Sequence, residues 1–99
     1  MTDFEKAKQY YHHKEFQKAI DLIIELLSSK TVLNKSLDYP DILCYLGDSR
    51  LGLFETSKNK SLVYEALTDY ATGANALLVF HKTTSTDLNK RLKKCAELL

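Results

Sequence analysis

The sequence predicts an all-α protein of five antiparallel stacked helices, and three observations support that prediction. Apolar residues recur at helical spacing along most of the 99 residues. Only three glycines and one proline are present, so the chain lacks the turn residues that an all-β fold requires. Polar, cap-forming residues separate the periodic runs. Since 99 residues correspond to one domain, we expect a single helical domain over residues 1–99.

The first two helices form a predicted hairpin over residues 3–29. Its first helix runs from about Asp3 to His13. Lys14 and Glu15 make the turn, and because no glycine is present there, we expect right-handed αR backbone rather than a left-handed cap. The second helix then carries a wide apolar stripe, formed by Phe16, Ala19, Ile20, Ile23, Leu26 and Leu27.

The third and fourth helices form a second predicted hairpin over residues 40–80. The third helix begins near Pro40, whose missing N–H costs nothing in a first turn, and ends near Phe54. Gly47 costs about 1 kcal/mol inside a helix, so we expect another helix to pass close to it. The polar stretch 55–60 is the predicted loop. The connection between the two hairpins is expected to pack against the domain through Val32, Leu33 and Leu37.

Two apolar stripes on the fourth helix predict a central helix with neighbours on both sides. The fifth helix, over residues 85–98, begins at a Ser85 or Thr86 cap and buries a single stripe. We expect this helix to close the stack with its polar face outward. The basic residues on that outer face are Lys90, Arg91, Lys93 and Lys94.

The composition argues against several classes of protein. Fourteen basic and 13 acidic side chains give a net charge of +1, which is too little to attract a nucleic acid. The longest apolar run, residues 76–80, is too short to span a bilayer, and the N-terminus has no signal-peptide core. We therefore expect a soluble intracellular protein, cytoplasmic or nuclear, in which Cys44 and Cys95 are reduced thiols. The apolar ending Leu98-Leu99 is compatible with one domain of a longer protein.

The sequence has no residue pattern typical of catalysis, metal binding or cofactor binding. His12 and His13 are adjacent and point about 100° apart on a helix, so they cannot hold one ion, and His81 is remote in sequence. Glycine-rich phosphate loops and the serine nucleophile motif are missing from the sequence as well. We expect a protein that is not an enzyme and that uses no metal or cofactor.

The first hairpin resembles the tetratricopeptide repeat (TPR), a helix–turn–helix unit of about 34 residues. That family has a small residue and then an aromatic residue in its first helix, and a small residue where the second helix comes closest. Ala7, Tyr10 and Ala19 match these positions, so Tyr10 is expected in the core. The second hairpin matches more loosely, because Gly47 and Ala66 are seven residues farther apart than Ala7 and Ala19. The fifth helix resembles the capping helix of such arrays.

Two weaker resemblances remain open. The stretch from about Ser61 onward is similar to the last two helices of MIT domains, which are three-helix bundles that bind helical tails of membrane-remodelling proteins. The N-terminal hairpin argues against this resemblance, because a lone MIT domain would not need it. Residues 45–51 are similar to the long-helix repeats of histone chaperones, although the acidic insertion usual in that family is missing.

The TPR resemblance implies a protein–protein interaction module, an adaptor or complex subunit, whose partner is a peptide or helix of another protein. In that family the first helix of each hairpin lines a concave groove. The family's clamp for acidic chaperone tails is not expected, because Asp48 would repel a carboxylate. The basic run of the fifth helix offers an alternative site for a small anion or acidic peptide; it consists of Lys90, Arg91, Lys93 and Lys94. The predicted partner-binding residues are Phe4, Lys8, Tyr11, His12, Cys44, Asp48, Leu51, Arg91 and Lys94.

Overall fold

The structure, a computed structural model, describes residues 1–29 and 36–99. Within these two ranges it is 84% helical and contains no strand. The prediction of an all-α protein with five helices is therefore confirmed. The helices are α1 (Asp3–His12), α2 (Phe16–Ser28), α3 (Asp38–Ser57), α4 (Lys60–His81) and α5 (Thr86–Leu98).

Side-chain caps set the beginnings of three helices. Thr2 Oγ1 accepts a hydrogen bond from the Glu5 amide at 3.1 Å in α1, and Ser85 Oγ accepts one from the Leu88 amide at 3.2 Å in α5. Asn59 Oδ1 accepts from an amide of the first turn of α4 at 3.0 Å. Each bond satisfies an amide that a helix start leaves without a partner. The predicted cap at Ser85 is confirmed.

Lysines in the left-handed backbone region follow three of the helices. Their φ angles are 61° at Lys14, 56° at Lys58 and 54° at Lys82. The expectation of a right-handed turn at Lys14 is wrong, because left-handed backbone costs a non-glycine residue only about 1–2 kcal/mol. Lys58 ends α3 after Ser57, three residues beyond the predicted end at Phe54. Most of the predicted loop 55–60 is consequently helical.

The helices pack in chain order. Each helix lies against the next, and α1 also contacts α3. The short connections after α1, α3 and α4 reverse the chain, so the helices they join run antiparallel. Residues near the starts of α1 and α3 line one cleft, and residues near the starts of α3 and α5 line another, while later parts of α3 and α5 line a third. These three helices therefore run parallel and share one side of the protein.

Two apolar clusters hold the stack together. The first joins α1, α2 and the first half of α3, and the second joins the later part of α3 to α4 and α5. Ala7 and Ala19 are fully buried, as the close contact between α1 and α2 requires. Tyr70 and Cys95 are fully buried in the second cluster. Along the described chain, no helix is both long enough and apolar enough to cross a membrane.

The close approach expected at Gly47 is confirmed. A Cβ atom at this position would lie 2.5 Å from Cε1 and 2.7 Å from Cζ of the Tyr70 ring of α4. Gly52 receives the Phe16 ring of α2 in the same way, with Cζ 2.6 Å from an added Cβ. Glycine therefore lets two aromatic rings from the flanking helices rest on the backbone of α3, which offsets its low helix propensity.

Two predicted core positions differ in the structure. Tyr10 is only half-buried, and the Nζ atoms of Lys6 and Lys18 lie 5.9 and 5.8 Å from its ring centroid. Tyr11 takes the place between helices instead, because it is one turn beyond Ala7 on the side of α1 that faces α3. Leu37 is 74% exposed and does not pack down. Val32 and Leu33 lie outside the described residues.

Candidate functional site

A groove runs along the side shared by α1, α3 and α5. It consists of two cavities of about 400 and 390 Å³, and both are lined by Tyr11, Asp48 and Arg91. We name them the Lys94 cavity and the Asp87 cavity, after a residue that lines only one of them, and the two together the inner groove. Because three residues border both cavities, the two cavities lie side by side.

Helical spacing places the groove residues on one face of each helix. Cys44, Asp48 and Leu51 lie at positions i, i+4 and i+7 of α3. In α5 the residues that line the groove lie at the same spacing, so each set forms a stripe along its helix. That second set is Asp87, Arg91 and Lys94.

Asp48 and Arg91 form an ion pair in the middle of the groove. Arg91 donates from Nε to Oδ1 of Asp48 at 3.0 Å and from Nη2 to Oδ2 at 3.1 Å. The Tyr70 hydroxyl donates to the same Oδ1. Burial and this hydrogen bond to Asp48 raise the pKa of Tyr70, and the bond to Asp48 raises the pKa of Arg91. The Tyr70 hydroxyl therefore stays protonated and Arg91 stays charged across the physiological pH range.

Aromatic rings form the α1 side of the groove. The Tyr11 ring meets the Tyr45 ring edge-on, with centroids 5.5 Å apart and an interplanar angle of 86°. His12 lies 6.1 Å from Tyr45, at 84°. Phe16 packs against Tyr11 from α2, with centroids 5.7 Å apart. These mutual contacts fix the rings, so the groove has a preformed apolar wall.

The two ends of the groove differ in charge. The Lys94 cavity carries one acidic and one basic side chain beyond the ion pair, Glu55 and Lys94, and both are exposed. The Asp87 cavity carries two acidic side chains, Asp41 and Asp87, and no cation except Arg91. Since Arg91 is already paired with Asp48, the Asp87 cavity is acidic.

Cys44 lines the Asp87 cavity and is half-buried. Burial raises the pKa of its thiol to about 11, Arg91 lowers it, and the carboxylates of Asp48, Asp41 and Asp87 raise it further. The thiol is therefore protonated at neutral pH, and a protonated thiol is a poor nucleophile. Within residues 1–29 and 36–99, no group of three or more His, Cys, Asp or Glu side chains is placed to hold a metal ion.

Seven of the nine predicted site residues line the inner groove. They are Tyr11, His12, Cys44, Asp48, Leu51, Arg91 and Lys94. Phe4 and Lys8 lie instead in a neighbouring cleft between the starts of α1 and α3, together with Asp41. The Lys8 ammonium lies 4.7 Å from the centroid of the Phe4 ring.

The structure changes the roles of two predicted residues. Arg91 does not face outward with the other basic residues of α5, because Asp48 draws its guanidinium into the groove. Asp48 is neutralised by this pair and is not a free carboxylate. Arg91 is therefore not available to bind an anion. Of the two predicted basic site residues, Arg91 and Lys94, only Lys94 has no partner among the described residues.

Several groove residues were missed by the sequence reasoning. Asp41 precedes Asp48 by seven residues, and Asp87 precedes Arg91 by four, so helical spacing alone places each beside a predicted residue. Tyr45 and Phe16 carry no such signal, because an aromatic residue at either position fits an ordinary core equally well.

A second charge cluster lies between α3 and α4. Arg50 Nη1 donates to Oδ1 of Asp69 at 3.3 Å and lies 3.4 Å from Oε2 of Glu65. Asp69 is 7% exposed. Burial raises the pKa of its carboxyl to about 7, Arg50 lowers it and Glu65 raises it. This carboxyl therefore titrates near neutral pH.

Comparison with known proteins gives no relative for this chain: no protein-family model matches it, and no curated protein or solved structure matches it significantly.

Proposed function

We propose that this protein is a protein–protein interaction module, an adaptor or complex subunit, that binds a peptide or helix of a partner in the inner groove. The observation that carries the proposal is that the two cavities adjoin and share Tyr11, Asp48 and Arg91 in their walls. A segment lying along α3 would contact both cavities at once. The resemblance of the first hairpin to TPR units is a second support, since the first helices of TPR hairpins line such a groove.

The chemistry of the groove suits a peptide. Each cavity is within the range of about 300–1,000 Å³ found for sites that enclose small molecules, and so has room for a large side chain. Aromatic surface supplies apolar contact area, and tyrosine and arginine are enriched among residues that dominate binding energy. Polar groups remain at both ends to fix the direction of a bound chain.

The floor of the groove is rigid before any partner arrives. Arg91 and Asp48 join through two hydrogen bonds, and the Tyr70 hydroxyl holds the same carboxylate from α4. Because these side chains are already ordered, a partner does not have to pay for ordering them. A preformed groove is expected to bind a short segment without rearranging the domain.

The proposal is tested by selecting binders from a random 12-residue peptide display library against the immobilised protein. The selected peptides are then measured against two tyrosine variants. Tyr11→Ala removes one ring of the aromatic wall of the groove, whereas Tyr10→Ala removes an adjacent half-buried ring that lines a cleft between α1 and α2 outside the groove. Circular dichroism checks that both variants stay helical.

We expect Tyr11→Ala to weaken binding at least tenfold and Tyr10→Ala to change it less than twofold. A second matched pair is Lys94→Glu and Lys93→Glu, which are neighbours on α5 with the same charge change. Only Lys94 lines the groove. Peptides that bind all four variants as tightly as the wild-type protein would show that the binding surface lies elsewhere, and would refute the proposal.

A further inference from the structure

The Asp87 cavity has the features of a site for a cation. Two carboxylates, Asp41 of α3 and Asp87 of α5, border it, and within the described chain neither has an ion-pair or hydrogen-bond partner. They enter from two helices and share one cavity. Both also raise the pKa of the Cys44 thiol, which lies between α3 and α5 in the wall of the same cavity. The two carboxylates therefore act on one small volume.

The Arg91 guanidinium, which also borders this cavity, already has partners within the protein. Arg91 gives Nε and Nη2 to Asp48, and its Nη1 donates to the backbone carbonyl of Asp87 at 3.5 Å. It therefore neutralises Asp48 and forms no ion pair with the side chains of Asp41 and Asp87. Both carboxylates are exposed, so a cation of a partner can reach them.

The aromatic wall of this cavity is also suited to a cation. Tyr11, His12 and Tyr45 border it, with neighbouring ring centroids 5.4 to 6.1 Å apart and interplanar angles of 67° to 86°. Steeply inclined rings turn different edges and faces toward the same space. The negative face of a tyrosine ring attracts an ammonium or guanidinium group, and the carboxylates add to this attraction.

We infer that the Asp87 cavity takes a lysine or arginine side chain of the partner segment, so that the groove selects basic peptides and fixes their direction. This inference rests on the proposed function and adds the chemistry of the partner to it. The long methylene stem of such a side chain would lie against the aromatic wall, and its charged end would reach Asp41 and Asp87. The opposite end of the segment would lie in the Lys94 cavity.

A double-mutant cycle tests the inference with peptides from the same selection. We expect the selected sequences to share a lysine or arginine. Synthetic peptides with that residue, or with uncharged norleucine in its place, are measured by fluorescence polarisation. The protein variants are Asp41→Asn/Asp87→Asn and, as a control with the same change of charge, Asp38→Asn/Glu97→Gln. The control residues are exposed and do not line the Asp87 cavity.

The inference predicts that norleucine weakens binding about tenfold for the wild-type and control proteins, and less than twofold for Asp41→Asn/Asp87→Asn. Norleucine that binds as well as the basic residue would overturn it. So would an equal loss in all three proteins, which would place the cation elsewhere. In both cases the proposed function stands if Tyr11→Ala still weakens peptide binding strongly. If Tyr11→Ala and Tyr10→Ala bind alike, the proposed function fails, and this inference with it.

Discussion

Arg91 of α5 binds Asp48 of α3 through two hydrogen bonds of 3.0 and 3.1 Å across 43 residues of sequence. The helix between them, α4, contributes the Tyr70 hydroxyl to the same carboxylate. Three helices therefore meet at one carboxylate in the middle of the inner groove. The pair both attaches the last helix and shapes the surface that we propose binds a partner.

Removing Arg91 should destabilise the domain. The side chains of Arg91 and Asp48 are 34% and 18% exposed, so the pair is partly shielded from water. Arg91→Ala leaves the Asp48 carboxylate without its cation, and we expect a loss of about 1–2 kcal/mol in the free energy of unfolding. Urea titration followed by circular dichroism measures it. The exposed neighbour Lys90 serves as the control, and Lys90→Ala should stay within about 0.5 kcal/mol. Equal stabilities would show that the ion pair does not hold α5.

The glycines of α3 and α4 should respond oppositely to alanine. In Gly47→Ala the new Cβ would meet the fully buried Tyr70 ring at 2.5 Å, and that ring cannot move without losing Asp48. We expect a loss of about 1–3 kcal/mol. In Gly73→Ala the nearest atoms lie at 3.6 Å, an ordinary contact, so the better helix propensity should leave stability unchanged or raise it by up to about 1 kcal/mol. Thermal unfolding measures the stability of both variants. A Gly47→Ala protein as stable as the wild type would contradict the packing described for α3 and α4.

The contact between α1 and α2 should not tolerate a larger residue. Ala19 is fully buried against α1, so Ala19→Leu should overpack the hairpin and cost about 1–3 kcal/mol. The same substitution at the exposed Ala71 of α4 supplies the control, and it should be nearly neutral. Chemical denaturation compares the two variants. An Ala19→Leu protein as stable as Ala71→Leu would mean that the helices do not approach closely there.

The contribution of Asp69 to stability should fall as pH rises from about 4 to about 7. The Asp69 carboxyl has its pKa raised from 3.8 to about 7 in the folded protein, so the folded state holds its proton over a range in which the unfolded chain has lost it. The stabilisation that Asp69 contributes is fully present below its pKa of 3.8 in the unfolded chain. It is lost as pH rises through its pKa of about 7 in the folded protein. It amounts to at most about 4 kcal/mol, and the partial compensation by Arg50 reduces it.

Comparison with Asp69→Asn isolates this contribution from those of the histidines and other carboxylates. Unfolding free energies are measured in urea at several pH values between 4 and 8 for both proteins. The wild-type curve should fall more steeply with pH than the Asp69→Asn curve over this range. Parallel curves would mean that Asp69 titrates as it does in the unfolded chain.

The helices and much of the groove were predictable because they depend on periodicity. Apolar spacing located all five helices, and the TPR resemblance, with helical spacing, suggested that Tyr11, Asp48 and Leu51 share one side. The small residues Ala19 and Gly47 correctly marked close helix contacts.

Side-chain contacts between helices that are distant in sequence were not predictable from periodicity. The outward direction expected for Arg91 is wrong because Asp48 lies within reach only once α3 and α5 are side by side. The left-handed turn at Lys14 was not predicted because its local sequence contains no glycine. The contacts between α1 and α2 outweigh the modest energetic cost of left-handed backbone at a lysine. Tyr10 and Tyr11 are both half-buried, and Tyr11 is the one that contacts Tyr45 of α3.

The most direct test of the account is amide chemical-shift mapping by NMR, with the 15N-labelled protein and a selected peptide. The account predicts that shifts concentrate on α3 and α5 at the groove residues, Cys44, Asp48, Leu51 and Arg91, while the exposed face of α2 at Gln17, Asp21 and Ile24 does not change. Shifts confined to that face of α2, or to the exposed apolar end of α4 at Leu78 and Phe80, would contradict it.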